Sequence, residues 1–215
     1  PDPYIIWEKR HKMTAALSKG LNDTIIAALN KLQKRQSKLD AADRAFYSRL
    51  MMMYVMTGAD EAAELAFKLA GDKNMTLSDA GLSALNQSKN ELRNQALEAF
   101  EKRWSDNPLV MEKWFMYQSS APYVSTPEHC DELMQHPCFD ANNPNQLRSV
   151  LSVFAGMNTA HFHAADGSGY LYLARHIADI DARNPQVAAR IVLPLTRFSL
   201  YNEERQAMMK GALVR

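Results

Sequence analysis

The sequence is poor in cysteine, in long apolar runs and in excess charge of either sign. Its 215 residues include two cysteines, Cys130 and Cys138. Disulfide frameworks are typical of small, cysteine-dense secreted domains, so we expect two thiols rather than a bridge. No apolar run approaches the ~20 residues of a membrane span. No signal peptide opens the chain, although one upstream of Pro1 would have been lost, and we expect a soluble, cytoplasmic protein without a membrane partner.

The charges exclude some partners, and the apolar content indicates a substantial core. Twenty-five basic residues stand against 24 acidic ones, for a net charge of +1, and both signs are scattered along the chain. A nucleic-acid partner or an anionic membrane surface favours a basic patch, which this chain lacks. With 47% hydrophobic residues, the chain is expected to fold without metals or disulfides.

The sequence also lacks the helical zinc motif His-Glu-x-x-His, so no metal site of the hydrolytic type is expected in it. The most polar stretch holds His161, His163 and Asp166 before a Gly-Ser-Gly turn. Their spacing does not match a known ligand set, and we interpret them as a cluster that holds the loop by hydrogen bonds. His129 and Cys130 are adjacent and diverge on a helix, so a thiol nucleophile with its base is disfavoured.

Apolar residues recur at three- and four-residue spacing, as in the run from Ile25 to Leu32, whereas alternating strand patterns are scarce. Capping side chains before proline predict four helix starts: Asn107-Pro108, Thr126-Pro127, Asn143-Pro144 and Asn184-Pro185. Weaker signals predict starts at Asn22, Asp40, Asp60, Ser78, Asn90, Ser168 and Asn202, and stops at Gly20, Gly58, Gly71 and near Gly156. About a dozen helices result.

The spacing of these starts predicts the architecture. Successive starts are about 15 to 19 residues apart, so neighbouring helices pair into hairpins of roughly 33 to 37 residues, as in helical repeats. We therefore predict an all-α fold, a superhelical array of antiparallel helix pairs of the HEAT or armadillo α-solenoid type, as a single helical domain over residues 1–215. A globular helical bundle is the alternative.

Two segments invite functional interpretations that the local chemistry disfavours. The run from Phe46 to Met56 is apolar nearly all round, and its adjacent methionines point in different directions, so we expect it to fill the core. Gly167-Ser168-Gly169 lacks the Lys-Ser/Thr ending of a phosphate-binding loop, and we expect a tight turn with Ser168 as the helix cap.

The predicted helix from Asn184 carries a polar stripe. Gln186 and Arg190 lie one turn apart on one face, while Val187 and Ile191 lie on another. Such a stripe either faces solvent or lines a cavity, and spacing alone favours solvent.

Several blocks of the sequence carry a resemblance to a known family. They are Lys102-Arg103-Trp104, Asn107, Val110 to Phe115, Asn143-Pro144-Asn145, Arg148-Ser149, Phe154-Ala155-Gly156, Phe162-His163-Ala164, Asp166 to Tyr170 and Arg183 to Ala188. These blocks resemble the C-terminal domain of the bacterial aminopeptidase N family, alanyl aminopeptidases of the M1 zinc metallopeptidases. The similarity is dense over residues 90 to 213, whereas residues 1 to 89 match mainly in helical character.

The resemblance implies a noncatalytic superhelix that encloses the active-site chamber of an aminopeptidase acting on short peptides. It implies that Gln186 approaches the pocket for the first substrate residue and that Arg148 and Arg190 face the chamber, where guanidinium groups suit a peptide carboxylate. These three are the candidate substrate-binding residues. Zinc, the metal ligands and the catalytic groups would belong to a thermolysin-like domain of the same polypeptide.

The chain departs from the family by lacking the zinc motif, the Gly-x-Met-Glu-Asn segment and the transition-state tyrosine. It begins without methionine and ends at Arg215, so we expect a fragment of the C-terminal domain that is inactive by itself. The alternative function is a free-standing helical-repeat scaffold for protein–protein interaction.

Overall fold

The computed structural model describes residues 1–35 and 38–214. The regular structure in these ranges is helical, without a strand, and the predicted all-α class is confirmed. None of the described helices combines the length and the apolar character needed to cross a lipid bilayer.

The described helices follow one another along the chain. They are α1 (Pro3–Gly20), α2 (Asn22–Gln33), α3 (Ala41–Met56), α4 (Asp60–Ala70), α5 (Met75–Leu85), α6 (Leu92–Trp104), α7 (Pro108–Ser120), α8 (Pro127–Leu133), α9 (Pro144–Leu147), α10 (Val153–Met157), α11 (Thr159–Phe162), α12 (Ser168–Asp181), α13 (Pro185–Ile191), α14 (Leu193–Thr196) and α15 (Glu203–Val214). A π-helical segment, Arg148–Ser152, joins α9 to α10, and a 3₁₀ turn, Phe198–Leu200, precedes α15.

The chain packs as two compact units. The first, here the 10–106 unit, consists of Arg10–Asp106. The second, here the C-terminal unit, consists of Asn107–Arg215 together with Pro1–Lys9. These are packing units, and the single domain over residues 1–215 stays a prediction.

In the 10–106 unit, α3, α4 and α5 pack closely on one another, and α2 lies against α3. Small residues allow the closest approach, because a Cβ atom built on Gly81 of α5 would lie 2.4 Å from the Ala66 carbonyl oxygen and 2.4 Å from the Ala70 amide nitrogen of α4. The four-residue connection between α4 and α5 makes this pair a helical hairpin.

In the C-terminal unit, α7 packs on the π-helical segment and on α10, and α12 contacts α13 and α15. Aromatic rings fill the core between these helices. Phe162 makes edge-to-face contacts with Phe154 and Tyr170, at centroid distances of 6.1 and 5.2 Å. Gly169 permits α12 to approach α11, because a Cβ atom there would lie 2.5 Å from the Phe162 carbonyl oxygen.

The four strong helix starts are confirmed, each with proline at the first position and a side-chain cap. The Asn107 and Asn184 side chains accept from the amides of Val110 and Val187, and Thr126 and Asn143 cap α8 and α9 in the same way. These starts are local signals, since an oxygen acceptor before proline satisfies free amides whatever the tertiary context.

Two of the weaker capping assignments are wrong. Helix α5 begins at Met75 after Asn74, and Ser78 lies buried inside it, where its hydroxyl donates to the Ala70 carbonyl at 2.7 Å. Helix α12 does begin at Ser168, but Ser168 is not its cap. Gly167 adopts a left-handed conformation at φ 71°, and the Asp166 carboxylate accepts from the Ser168 amide at 3.0 Å.

The methionine-rich run contributes to the core from one side. Tyr47, Leu50, Met51 and Val55 of α3 are buried, whereas Phe46 is 53% exposed. The prediction of core filling is confirmed for that face, and the expectation that the whole run is internal is wrong for Phe46.

Candidate functional site

Two of the three candidate binding residues lie on α13. Pro185 and the Asn184 cap fix where this helix starts, and its buried residues are Val187, Ala188 and Ile191. Gln186 and Arg190 are exposed, as their spacing predicts. Their i, i+4 relation places both side chains on one face of the helix.

The third candidate, Arg148, opens the π-helical segment. A π-helical turn widens the helix by one residue, and such turns are frequent at functional sites. Arg148 is half-buried, and its guanidinium donates to the Asn145 side chain. Helix α13 contacts the same π-helical segment, so Arg148 and α13 belong to one region of the C-terminal unit.

An open groove of about 590 Å³ runs along this region between α7, α9 and α10. Its lining residues are Leu109, Glu112, Lys113, Met116, Asn145, Arg148, Ser149, Ser152, Val153 and Met157. Leu109 is 72% exposed and Met157 is 59% exposed, so apolar side chains at the groove meet solvent. Gln186 and Arg190 do not line it.

The polar groups of the groove carry both signs of charge. Lys113 and Arg148 are cationic, and Glu112 is anionic. The Glu112 Oε1 atom is buried, and among the residues described no hydrogen-bond partner faces it. Apolar walls with a few charged groups of both signs are suited to binding an extended peptide, whose ends and side chains carry such charges.

The polar loop ahead of α12 does not form one cluster. His163 is buried, its Nδ1 atom lies 2.6 Å from the Tyr170 hydroxyl, and burial, with the nearby Arg205 cation, lowers its pKa to about 4. Asp166 is exposed, and the hydrogen bond from the Ser168 amide lowers the pKa of its carboxyl. His161 is half-buried, and burial lowers its pKa. The predicted hydrogen bonds are found for His163, to Tyr170, and for Asp166, from Ser168, but the three side chains do not form a single cluster, because each has its own surroundings.

Arg205 is the buried cation behind this loop. Its Nε atom lies 3.1 Å from an Asp2 carboxylate oxygen, and a terminal guanidinium nitrogen donates to the Ala164 carbonyl at 2.6 Å. Both hydrogen-bond acceptors of the Arg205 guanidinium lie inside the C-terminal unit. Arg205 is therefore a structural residue rather than a reactive one.

Cys130 is not placed to act as a nucleophile. Both cysteines are thiols that are not joined in a disulfide, as predicted. Cys130 is buried with its sulfur 3.4 Å from the Ser125 hydroxyl, and burial raises its pKa to about 12, so the thiolate that reactions require is not formed at neutral pH. Beside it, Asp131 bonds His176 at 2.8 Å and Arg175 at 2.7 Å on the surface.

No set of three His, Cys, Asp or Glu side chains within residues 1–35 and 38–214 is arranged to hold a metal ion. The described residues therefore do not fit a zinc centre. What the site offers is binding surface, namely a groove with exposed apolar side chains and cationic groups.

Several residues of the groove were not predicted from the sequence as site residues. Leu109, Glu112, Lys113 and Met116 all lie on α7. The available signal was the block from Val110 to Phe115, which carried the resemblance and includes Glu112 and Lys113. Met157 carried no such signal. It lies where α10 ends, directly before the Asn158 cap of α11, and the sequence does not indicate this junction.

The fold and the groove define a class, an all-α domain of helices joined by short loops that offers a binding surface. The chain belongs to the family described as "Domain of unknown function (DUF3458_C) ARM repeats", which it matches over residues 1–215. The predicted armadillo-like array is thereby confirmed as the fold type.

The similar proteins are aminopeptidases. The chain is 36% identical to aminopeptidase N of Escherichia coli over 99% of its own length and 25% of that protein. It is 43% identical to aminopeptidase N of Haemophilus influenzae over 66% of its length and 16% of that protein. It superposes on Legionella pneumophila aminopeptidase A, solved in complex with aspartic acid, with a TM-score of 0.82 at 28% identity, covering 96% of this chain and 26% of that one.

These matches confirm the resemblance to the aminopeptidase N family. The chain spans about a quarter of the length of the E. coli relative.

Proposed function

We propose that this chain is the noncatalytic C-terminal helical domain of a zinc-dependent M1 aminopeptidase and encloses its active-site chamber. The observation that carries the proposal is the 36% identity with E. coli aminopeptidase N over nearly the whole chain. The parent enzyme would be cytoplasmic and would remove N-terminal residues from short peptides. Its zinc and catalytic groups would lie in a thermolysin-like domain of the same polypeptide.

In this proposal the cationic residues of the C-terminal unit bind the far end of a peptide. Arg148 at the groove and Arg190 on α13 would pair with the C-terminal carboxylate, and Gln186 would contact the first substrate residue. Arginine suits this role because its planar group offers two parallel donors to a carboxylate. The enclosing walls would exclude folded proteins.

The cheapest test is to determine the coding sequence upstream of Pro1. We expect a His-Glu-x-x-His motif followed by a glutamate about 20 residues later, as the zinc ligands of the family would require. A complete coding sequence without that motif contradicts the proposal and favours the scaffold, for which the exposed Leu109 and Met157 would be the partner-binding residues.

A functional test uses Arg148→Ala and Arg190→Ala in the complete polypeptide. Loss of a charge-assisted hydrogen bond costs about 1.5–3 kcal/mol, so we expect kcat/KM for free peptides to fall roughly 10- to 100-fold. An aminoacyl p-nitroanilide, which has no carboxylate, should react at the unaltered rate. The control is Arg49→Ala, an exposed arginine of the 10–106 unit. If kcat/KM for free peptides, and its dependence on peptide length, were unchanged in both variants, the proposed roles would be contradicted.

A further inference from the structure

The π-helical segment that begins at Arg148 is joined to α7 through a buried serine. Ser119 is fully buried, and its Oγ atom lies 2.8 Å from the carbonyl oxygen of Ser149. Two oxygen atoms at that distance repel each other unless a hydrogen lies between them, and only the Ser119 hydroxyl can supply one. Residues of α7 and of the π-helical segment both line the groove, so this hydrogen bond connects two of its walls.

The π-helical turn takes the ordinary partner away from the Ser149 carbonyl. In an α-helix the amide of residue 153 would donate to the carbonyl of residue 149. The Val153 amide donates instead to the carbonyls of Arg148 and Val150. Because Ser149 is buried, its carbonyl needs a donor from within the protein. The Ser119 hydroxyl supplies a donor and thereby favours the π-helical register over the α-helical one.

A second acceptor lies within reach of the same hydroxyl. The Phe115 carbonyl oxygen is 2.5 Å from the Ser119 Oγ atom, an arrangement that is common for a serine inside a helix. The single hydroxyl hydrogen is therefore shared between two carbonyls. The Phe115 carbonyl also accepts from the Ser119 amide in the α-helical pattern of α7, whereas the Ser149 carbonyl has lost its α-helical donor. The shared hydrogen matters most to Ser149.

The register of the turn determines where the Arg148 side chain lies. Both sides of the segment are held in place, since the buried Gln146 accepts from the Asp140 amide before it and Phe154 is buried after it. One residue of an α-helix corresponds to a rotation of about 100°, because a turn has 3.6 residues. A change from the π-helical to the α-helical register would turn Arg148 by about that angle relative to α10, and so move it from its position at the groove.

We propose that Ser119 is a positioning residue, whose hydroxyl holds the π-helical turn in register and so places the Arg148 guanidinium at the groove. Ser119 does not line the groove itself, and it acts through Arg148. The consequence for catalysis rests on the proposed function, because only there does Arg148 bind the carboxylate of a peptide. The inference adds a residue that determines how tightly free peptides bind.

The kinetic test compares Ser119→Ala with the original complete polypeptide on a free peptide and on an aminoacyl p-nitroanilide. A binding group that is correctly placed in only part of the molecules weakens binding by that fraction. We expect KM for the peptide to rise about 3- to 10-fold with kcat little changed, and both constants for the p-nitroanilide to stay the same. The control is Ser78→Ala, which removes a buried hydroxyl that donates to a neighbouring helix of the 10–106 unit and should leave KM unchanged for both substrates.

Two further measurements separate positioning from a general loss of stability. In an Arg148→Ala background, Ser119→Ala should change the peptide KM by less than about twofold, because the group that Ser119 places is no longer there. Amide hydrogen exchange of residues 148–153, followed by mass spectrometry, should be at least about threefold faster in Ser119→Ala than in the original protein or in Ser78→Ala.

The possible failures are distinguishable. If Arg148→Ala raises the peptide KM and Ser119→Ala does not, the inference is overturned and the proposed function stands. An equal effect of Ser119→Ala with and without Arg148 also overturns the inference. If Arg148→Ala leaves the peptide KM unchanged, the proposed role of Arg148 in substrate binding fails, and hydrogen exchange alone decides the inference. Faster exchange of residues 148–153 in Ser119→Ala then supports it, and unchanged exchange overturns it.

Discussion

At the scale of single residues, the C-terminal unit is distinguished by a histidine that stays neutral. His163 is 5% exposed and surrounded by aromatic rings, with the Tyr170 hydroxyl on Nδ1 and Tyr201 at a centroid distance of 5.0 Å. Burial is the main reason that its pKa falls to about 4, and the Arg205 cation adds to the shift. Protonating this ring therefore opposes folding.

This shift predicts how stability depends on pH. The unfolded histidine has a pKa near 6.5. Below pH 6.5 the unfolded state therefore binds a proton at this ring, whereas the folded state does not until the pH approaches its own lower pKa. We expect the free energy of unfolding to fall by about 2 kcal/mol more in the original protein than in His163→Phe between pH 7.5 and 5. Urea unfolding at both pH values measures the difference. Parallel pH dependences in the two proteins would show that His163 does not contribute.

At the scale of elements, α5 lies close against the backbone of α4. Gly81 has no side chain where one would meet the backbone of Ala66 and Ala70. The buried Ser78 hydroxyl joins the same two helices, because it donates a hydrogen bond to the Ala70 carbonyl. Helices α4 and α5 are in contact through their backbones rather than through large side chains. A larger side chain at this contact would therefore have no space.

We therefore expect Gly81→Ala to destabilise the protein by about 1–3 kcal/mol, since overpacking forces the helices apart. Chemical unfolding of the purified variant measures the loss. Gly211→Ala in α15 is the matched control, because a Cβ atom there meets nothing within 4 Å, and the change should stabilise by about 0.5–1 kcal/mol. Equal effects of the two substitutions would contradict the close contact.

The helix elements also show which local signals are reliable. Asn107 and Asn184 predicted their helices correctly because the cap and the following proline act within one turn. Ser78 has the same capping chemistry but lies within α5, because Asn74 caps the helix earlier and the Ser78 hydroxyl bonds to α4. A tertiary contact decided that case.

At the scale of the whole molecule, the N-terminal residues join the C-terminal unit through Asp2 and Arg205. The two residues are 203 positions apart and largely buried, with side chains 15% and 5% exposed. Burial raises the pKa of the Asp2 carboxyl, but the hydrogen bonds from the Ile5 amide and from Arg205 outweigh it, and the net pKa is lowered. This pair ties Pro1–Lys9 to that unit.

Arg205→Ala removes the hydrogen bonds to Asp2 and to the Ala164 carbonyl, whereas the Asp2 carboxylate keeps its bond from the Ile5 amide, so the change should cost about 1.5–3 kcal/mol of unfolding free energy. Arg175→Ala is the control, since its pair with Asp131 is exposed and should be worth at most about 1 kcal/mol. Thermal and urea unfolding of the two variants give the comparison. Similar losses in both would mean that burial of the Asp2 pair is unimportant.

The binding surface shows where the sequence stops being informative. The amphipathic spacing of α13 predicted that Gln186 and Arg190 share an exposed face. The groove at Arg148 was not predictable, because Leu109, Lys113 and Met157 come from helices that are distant in sequence. Whether the three candidate residues bind substrate stays a prediction.

The sequence by itself determined the all-α class, the proline-marked helix starts and the family, since periodicity, capping and residue identity are local properties of the chain. The tertiary structure decided which surfaces are covered. It buried His163 and Arg205, brought Gly81 against α4 and left Met13 and Leu17 exposed. The burial of these particular residues depends on contacts between segments that are distant in sequence, and their local patterns do not specify those contacts.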